Sequence, residues 1–166
     1  ALSVLEPYSF TLPPLSAGSH SIAVVDGITL LSPFTVRQVT VDLTGSAALA
    51  QVTGISNDTG VPGDFITTAA NQTVSGTYSG PLAPGEIIQV SANGSTWINA
   101  SAGGGSWSAA GVTLSPGIGT LSVRTIDDVG NIVPGSGHAY NLATAVLAPP
   151  VITSIGNGGS TGADNP

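Results

Sequence analysis

Thr120-Leu121-Ser122-Val123-Arg124-Thr125-Ile126 sets Leu121 and Val123 to one side of an extended chain and Thr120, Ser122 and Arg124 to the other. That period of two belongs to a strand with one buried and one solvated face. The same alternation runs through Gln72–Tyr78, Ile87–Ala92 and His138–Leu142. Between these segments stand turn clusters: Ser79-Gly80-Pro81, Ala92-Asn93-Gly94-Ser95, Gly103-Gly104-Gly105, Ser115-Pro116-Gly117 and Asp128-Val129-Gly130-Asn131. Gly and Pro, 23 and 12 residues, are spread along the whole chain, and no window carries a capped helical period. Ala47–Ala50 is too short a run to sustain a helix between its flanking glycines. Asn93-Gly94, lying between two strand patterns, predicts a two-residue hairpin turn.

The strands fall near 51–56, 71–79, 86–92, 95–99, 105–114, 119–126 and 136–144. Seven short strands in about a hundred residues fit an all-β, immunoglobulin-like β-sandwich of two antiparallel sheets. Trp97, Trp107, Tyr78 and Tyr140 are its expected large core or core-rim side chains, with Leu121, Val123 and Ile88 or Val90 filling the remainder.

Val52-Thr53-Gly54-Ile55-Ser56-Asn57 returns as Ile152-Thr153-Ser154-Ile155-Gly156-Asn157, and the match runs without a gap to Asp64 and Asp164. A fixed long spacing is the mark of a tandem array. Residues 48–147 then form one complete domain. Residues 1–47 are expected to be the C-terminal part of a preceding unit, its last three strands (E–G), with an extra hairpin layer packed on the complete domain as the alternative, and 148–166 to begin a following unit. Leu15–Asp26 parallels Ser115–Asp127 with one residue of slippage, and Pro33-Phe34-Thr35-Val36 parallels His138-Ala139-Tyr140-Asn141. A half sandwich cannot bury its own apolar face, so 1–47 calls for strands from elsewhere.

The charge pattern excludes several roles. Arg37 and Arg124 are the only cations against nine carboxylates, for a net charge of -7. Phosphate neutralisation needs clustered Lys and Arg, so nucleic acid is not an expected partner, and an anionic membrane surface would repel the chain. No run approaches the ~20 apolar residues of a membrane span. The chain has no Cys and no Lys, which leans towards a bacterial surface protein rather than a disulfide-stapled secreted domain. Without Lys to guard its sheet edges, it must cover them by bulges, Pro or neighbouring subunits.

Ser56-Asn57-Asp58-Thr59-Gly60, the lead-in Ala17-Gly18-Ser19-His20, the turn Asp127-Asp128-Val129-Gly130-Asn131 and the exit from Tyr140 to Pro150 resemble the bacterial Ig-like repeats of giant surface adhesins and biofilm-associated proteins. The resemblance covers nearly all of 48–147 and parts of both flanks. It implies an extracellular rod that holds a binding tip away from the cell, with neighbouring repeats as partners and Ca²⁺ stiffening some junctions. Similar repeats occur on virions, so the family alone does not fix the role.

The acidic turn 127–131 is the first candidate site. In such a sandwich it faces the entering linker Val41-Asp42-Leu43. Ca²⁺ takes six to eight oxygens, which Asp42, Asp127, Asp128 and Asn131, with Glu86 from the preceding turn, would supply. The resemblance implies such a clamp, whereas the residue types alone read equally as a plain turn. The second linker, 144–150, has no Asp in the place of Asp42. Asn57–Gly60 with Gly63-Asp64 reads as a local side-chain-capped turn, and His20 and His138 have no partner at metal-ligand spacing. No Ser lies in a nucleophile elbow and no acid–base pair is spaced for catalysis. The expected function is a non-enzymatic structural repeat. The rivals are a subunit of an extracellular filament or virion completed by strands of identical subunits, and a carbohydrate-binding module with a glycan ligand stacked on Trp97, Trp107 and Tyr78.

Overall fold

The computed structural model describes residues 11–24 and 35–144, and these are all β with no helix. Twelve strands follow in order: β1 (Gly18–Val24), β2 (Thr35–Val41), β3 (Leu49–Ile55), β4 (Ile66–Thr67), β5 (Asn71–Ser79), β6 (Ile87–Ser91), β7 (Ile98–Asn99), β8 (Ser101–Gly103), β9 (Ser106–Thr113), β10 (Gly117–Ile126), β11 (Ile132–Pro134) and β12 (His138–Leu142). The long strands fall where the alternation places them. The short β4, β8 and β11 have no such signal, since two or three residues are too few to show a period.

Two sheets enclose the core. One runs β3-β5-β9-β8; the other runs β4-β12-β10-β6-β7, with β11 also paired to β10. Val52, Val74, Trp107, Ala109 and Val112 from the first sheet meet Ile88, Val90, Leu121, Val123, Tyr140 and Leu142 from the second in one buried cluster. Pairing is antiparallel except between β12 and β4 and at the single bridge Gln51–Ser136. At that bridge Ser136 N donates to Ala50 O and Val52 N to Ser136 O, both at 2.9 Å, so the edge strand β3 of one sheet is stitched to the other. Its register shifts between Val52 and Gly54, a bulge of the kind expected on a Lys-free edge.

Two expectations change. Asn93-Gly94 is not a two-residue turn. Residues 92–97 form a longer loop, and only Gly94 of the pair has positive φ. Asn93 Oδ1 accepts the backbone N–H groups of Ser95 and Thr96, at 3.0 and 2.8 Å, and this side-chain cap takes the place of the tight backbone turn. Trp97 leaves the core side: it is half-buried on the outer face of the second sheet, while Trp107 is 3 % exposed in the core. Trp107 earns its burial by donating Nε1–H to Gln51 O and Thr77 O at 3.2 and 3.1 Å.

β1 and β2 form a separate two-stranded sheet. Val36 and Val39 lie exposed on it, at 44 % and 37 %. Linker residues 42–48 lead from this hairpin into β3. The expected start of a further unit, 148–166, lies outside the described residues.

Candidate functional site: the joint before the sandwich

The residues singled out by sequence lie on the linker and on two turns of the sandwich that the linker touches. Asp42 lies at the linker's start, where its Oδ1 accepts Thr44 N at 2.8 Å and closes a local turn. Asp127 opens the turn after β10. Its Oδ1 accepts Val129 N and Asn131 N at 3.1 and 2.7 Å, and its Oδ2 accepts Asn131 Nδ2 at 2.8 Å. The same Asn131 amide reaches the linker, donating to Asp42 O at 3.2 Å and Thr44 O at 3.4 Å. Glu86 Oε2 accepts Ser46 Oγ at 2.8 Å and Ala83 N at 2.7 Å. Ser46 in turn accepts Ala48 N at 3.0 Å. Asp128 packs on Gly85, where an added Cβ would stand 3.4 Å from the Asp128 side chain.

The linker is thus held at both ends by side chains of the sandwich, Asn131 at Asp42 and Thr44 and Glu86 at Ser46. Between them Gly45 lies so close to Val133 that a Cβ would come within 2.6 Å of it. Partial removal from water pushes the Asp127 carboxyl up, but the hydrogen bonds from the Asn131 side chain and from the Asn131, Gly130 and Val129 backbone outweigh it and hold the pKa below the usual value.

The arrangement bears directly on calcium. Both Asp127 oxygens are taken up by N–H donors, and the Asn131 amide faces the linker through its donor end, which a cation would repel. Among the described residues no three Asp, Glu or His side chains gather closely enough to hold a metal ion. As arranged, Asn131, held by Asp127, and Glu86 close the linker by hydrogen bonds, and a cation bound through Asp127 and the Asn131 oxygen would require these two side chains to turn.

The second acidic loop lies at β4. Asp58 Oδ2 accepts Gly63 N at 2.6 Å and Asp64 Oδ1 accepts Ile66 N at 2.9 Å, as a side-chain-capped turn requires. Asp58 Oδ1 is enclosed with no partner. In the same loop Phe65 holds a φ of 58°, a strained conformation for a bulky residue, and its buried ring stacks on His138 with the ring centroids 3.7 Å apart. His138 therefore has a packing role. His20 Nε2 lies 2.8 Å from Ser16 O. The three aromatics of the expected glycan platform do not share a face, because Trp107 is core and Trp97 lies outside the opposite sheet.

Sequence reasoning passed over one cluster. The Arg124 guanidinium stacks on Trp97, Cζ lying 3.9 Å from the ring centroid, and Arg124 Nε donates to Gln89 Oε1 at 2.9 Å. Arg124 is the lone cation of 48–147, and that solitude was the available signal.

No family model matches the chain, and no curated protein matches it by sequence. Among solved structures it is similar to CopC from Methylosinus trichosporium OB3b, at 15% identity over 55% of this chain and 93% of that one, with a TM-score of 0.33.

Proposed function

We propose that this chain is a non-enzymatic, Ig-like structural repeat of a large extracellular bacterial surface protein, in which tandem sandwiches serve as a spacer. The observation that carries the reading is the joint. A hairpin shaped like the end of a sandwich leads into a linker that the next sandwich grips through Asn131 and Glu86. A linker so held transmits orientation from one unit to the next, which is what a rod needs and a flexible tether lacks. The Cys-free, hydroxyl-rich and acidic composition is in keeping with an extracellular setting.

Small-angle scattering tests this. Appending a second copy of 42–147 should lengthen the particle by about 30–50 Å, the span of a ten-residue strand plus its joint. An unchanged maximum dimension, with the units folded side by side, would sink the spacer reading.

Calcium is the competing closure of the same joint. Bound through Asp42, Glu86, Asp127, Asp128 and Asn131, it would supply electrostatic cross-linking between linker and turn, at the expense of the hydrogen bonds described. Thermal melting in Ca²⁺ and in chelator separates the two. A higher Tm in Ca²⁺ that Asp127→Ala and Asp128→Ala abolish supports the metal; equal melting leaves the hydrogen-bonded closure.

A second reading draws on the exposed valines of the hairpin: a filament subunit whose β1–β2 sheet is completed by another chain. Concentration-dependent self-association in light scattering, lost on Val39→Lys, would favour it over the spacer.

A further inference from the structure

We propose that the outer face of the second sheet, around Arg124 and Trp97, binds an acidic saccharide through the sugar's carboxylate. The site is independent of the spacer reading. It begins with register. Gln89 pairs with Arg124 on one side and Asn99 on the other, and Arg124 pairs with Pro134. Asn99, Gln89, Arg124 and Pro134 therefore form one rung across β7, β6, β10 and β11, all on the face away from the core. Leu121, Val123 and Thr125 point inward, so Thr120, Ser122 and Arg124 line up outward at intervals of two.

The rung is wired in one direction. Gln89 Nε2 donates to Asn99 Oδ1 at 2.8 Å, which turns Gln89 Oε1 towards the Nε–H of Arg124. The Trp97 ring holds the guanidinium plane by a cation–π contact. An arginine fixed by its Nε and by its face still has its terminal N–H donors to offer, and these are the ones that grip a carboxylate bidentately. No carboxylate lies within salt-bridge reach of Arg124 among the described residues, although the chain carries nine. An oriented cation with no carboxylate partner among the described residues is complementary to a single negative charge.

The surroundings specify the rest of the ligand. Arg124 and Trp97 border an open depression of about 340 Å³, with Thr120, Ser122, Ile132 and Pro134. That is the lower end of the range for small-molecule sites, roughly 300–1,000 Å³, room for one or two sugar rings. Hydroxyls on one side suit sugar hydroxyls, and Ile132, Pro134 and the indole edge suit the C–H face of a pyranose. One guanidinium matches a uronate's single charge; a phosphate dianion would leave a charge unmatched in a chain that is already -7. The overall negative charge opposes such ligands beyond the site, but at physiological salt it is screened over about 8 Å.

The test is an NMR titration of the full chain with a galacturonate oligosaccharide, reading the Trp97 indole and Arg124 Nε resonances. Neutral galactose oligomers of equal length are the control. Saturable shifts at low-millimolar ligand, corresponding to about 4 kcal/mol of binding, are expected with the acidic oligomer alone. Arg124→Gln should weaken binding at least ~10-fold, and Arg124→Lys should also weaken it, since ammonium lacks the planar fork. Unchanged thermal melting of Arg124→Lys shows that the loss is not one of folding. The proposal is overturned by no shift up to about 10 mM ligand, by equal shifts with the neutral oligomer, by full binding in Arg124→Gln, or by equal shifts with a simple carboxylate such as acetate.

Discussion

Two hairpins of this chain have the same register and opposite fates. In the sandwich, Gly117 pairs with Leu142, Gly119 with Tyr140 and Leu121 with His138. Before the linker, Gly18 pairs with Val41, His20 with Val39 and Ile22 with Arg37. Each begins with a glycine at positive φ, 86° at Gly117 and 118° at Gly18, a conformation that L side chains rarely adopt. Leu121, Tyr140 and Leu142 are buried, whereas Ile22 and Val41 are half-buried and Val39 is exposed. Backbone pairing thus recurs without burial. Ladder hydrogen bonds set the register, but a facing sheet is what turns an amphipathic hairpin into a core.

The largest effect should come from truncating the matched inward positions. Leu121→Ala removes a fully buried side chain and should cost about 2–5 kcal/mol. Ile22→Ala should change global stability by no more than ~0.5 kcal/mol, as expected for a site with little packing. Urea denaturation of the two variants measures both. Comparable losses would break the comparison, because they would require β1 to have a packing partner.

The second test exploits a difference in side-chain size. The Tyr140 ring lies directly over Gly119, where an added Cβ would strike it, and Tyr140 Oη accepts Ser115 N at 3.1 Å. At the corresponding rung of the first hairpin stand His20 and Val39. Gly119→Ala should destabilise by about 1–3 kcal/mol through overpacking, and His20→Ala should be close to neutral. A neutral Gly119→Ala in the same denaturation series would mean that Tyr140 can swing away, and that its ring does not fix the β10–β12 register.

This rung also shows what the sequence made legible. Alternation located β5, β6, β9, β10 and β12 to within two residues, because each has one wet and one dry face. The repeat match of the first hairpin differs from an alignment of the two pairings. Matching Phe34 and its neighbours to His138–Asn141 puts Thr35 in the position of Tyr140, whereas the pairing puts Val39 there. Between its paired ends the first hairpin is two residues shorter than the second, and β11 occupies the connection of the longer one. No period reveals that change in length. At the joint, the sequence pointed to the turn 127–131 and the linker at Asp42, and the hydrogen bonds run between these two segments through Asn131. The residue types did not tell which way the Asn131 amide points, because donor and acceptor ends share one side chain. The Arg124 rung was illegible for a related reason: Gln89, Asn99 and Trp97 become neighbours only through strand pairing.

Smaller effects come from the link between the two hairpins. Asn131→Ala removes the donor to Asp42 O and Thr44 O and should cost about 1 kcal/mol. Amide exchange at 42–46 should quicken while exchange in β10 stays slow. Uniform quickening would instead mean that the linker and the sandwich open as one unit.

The weakest dependence is on pH, and its sign follows from Asp127. Its folded pKa is depressed, so the unfolded chain takes up the proton first as pH falls. The stabilisation is therefore present in full above the unfolded value, about 3.9, and is lost as pH drops through the lower folded value. Between pH 7 and 5 the joint should not change. Below about pH 4 the Asp127 acceptors for Asn131 and Val129 weaken, and amide exchange at 42–46 should rise before exchange in β10 does. Asp127→Asn should flatten that early rise. If the acid-induced opening persists unchanged in Asp127→Asn, the turn's carboxylate is not what closes the joint, and the Ser46–Glu86 contact becomes the better candidate for the link between the two hairpins.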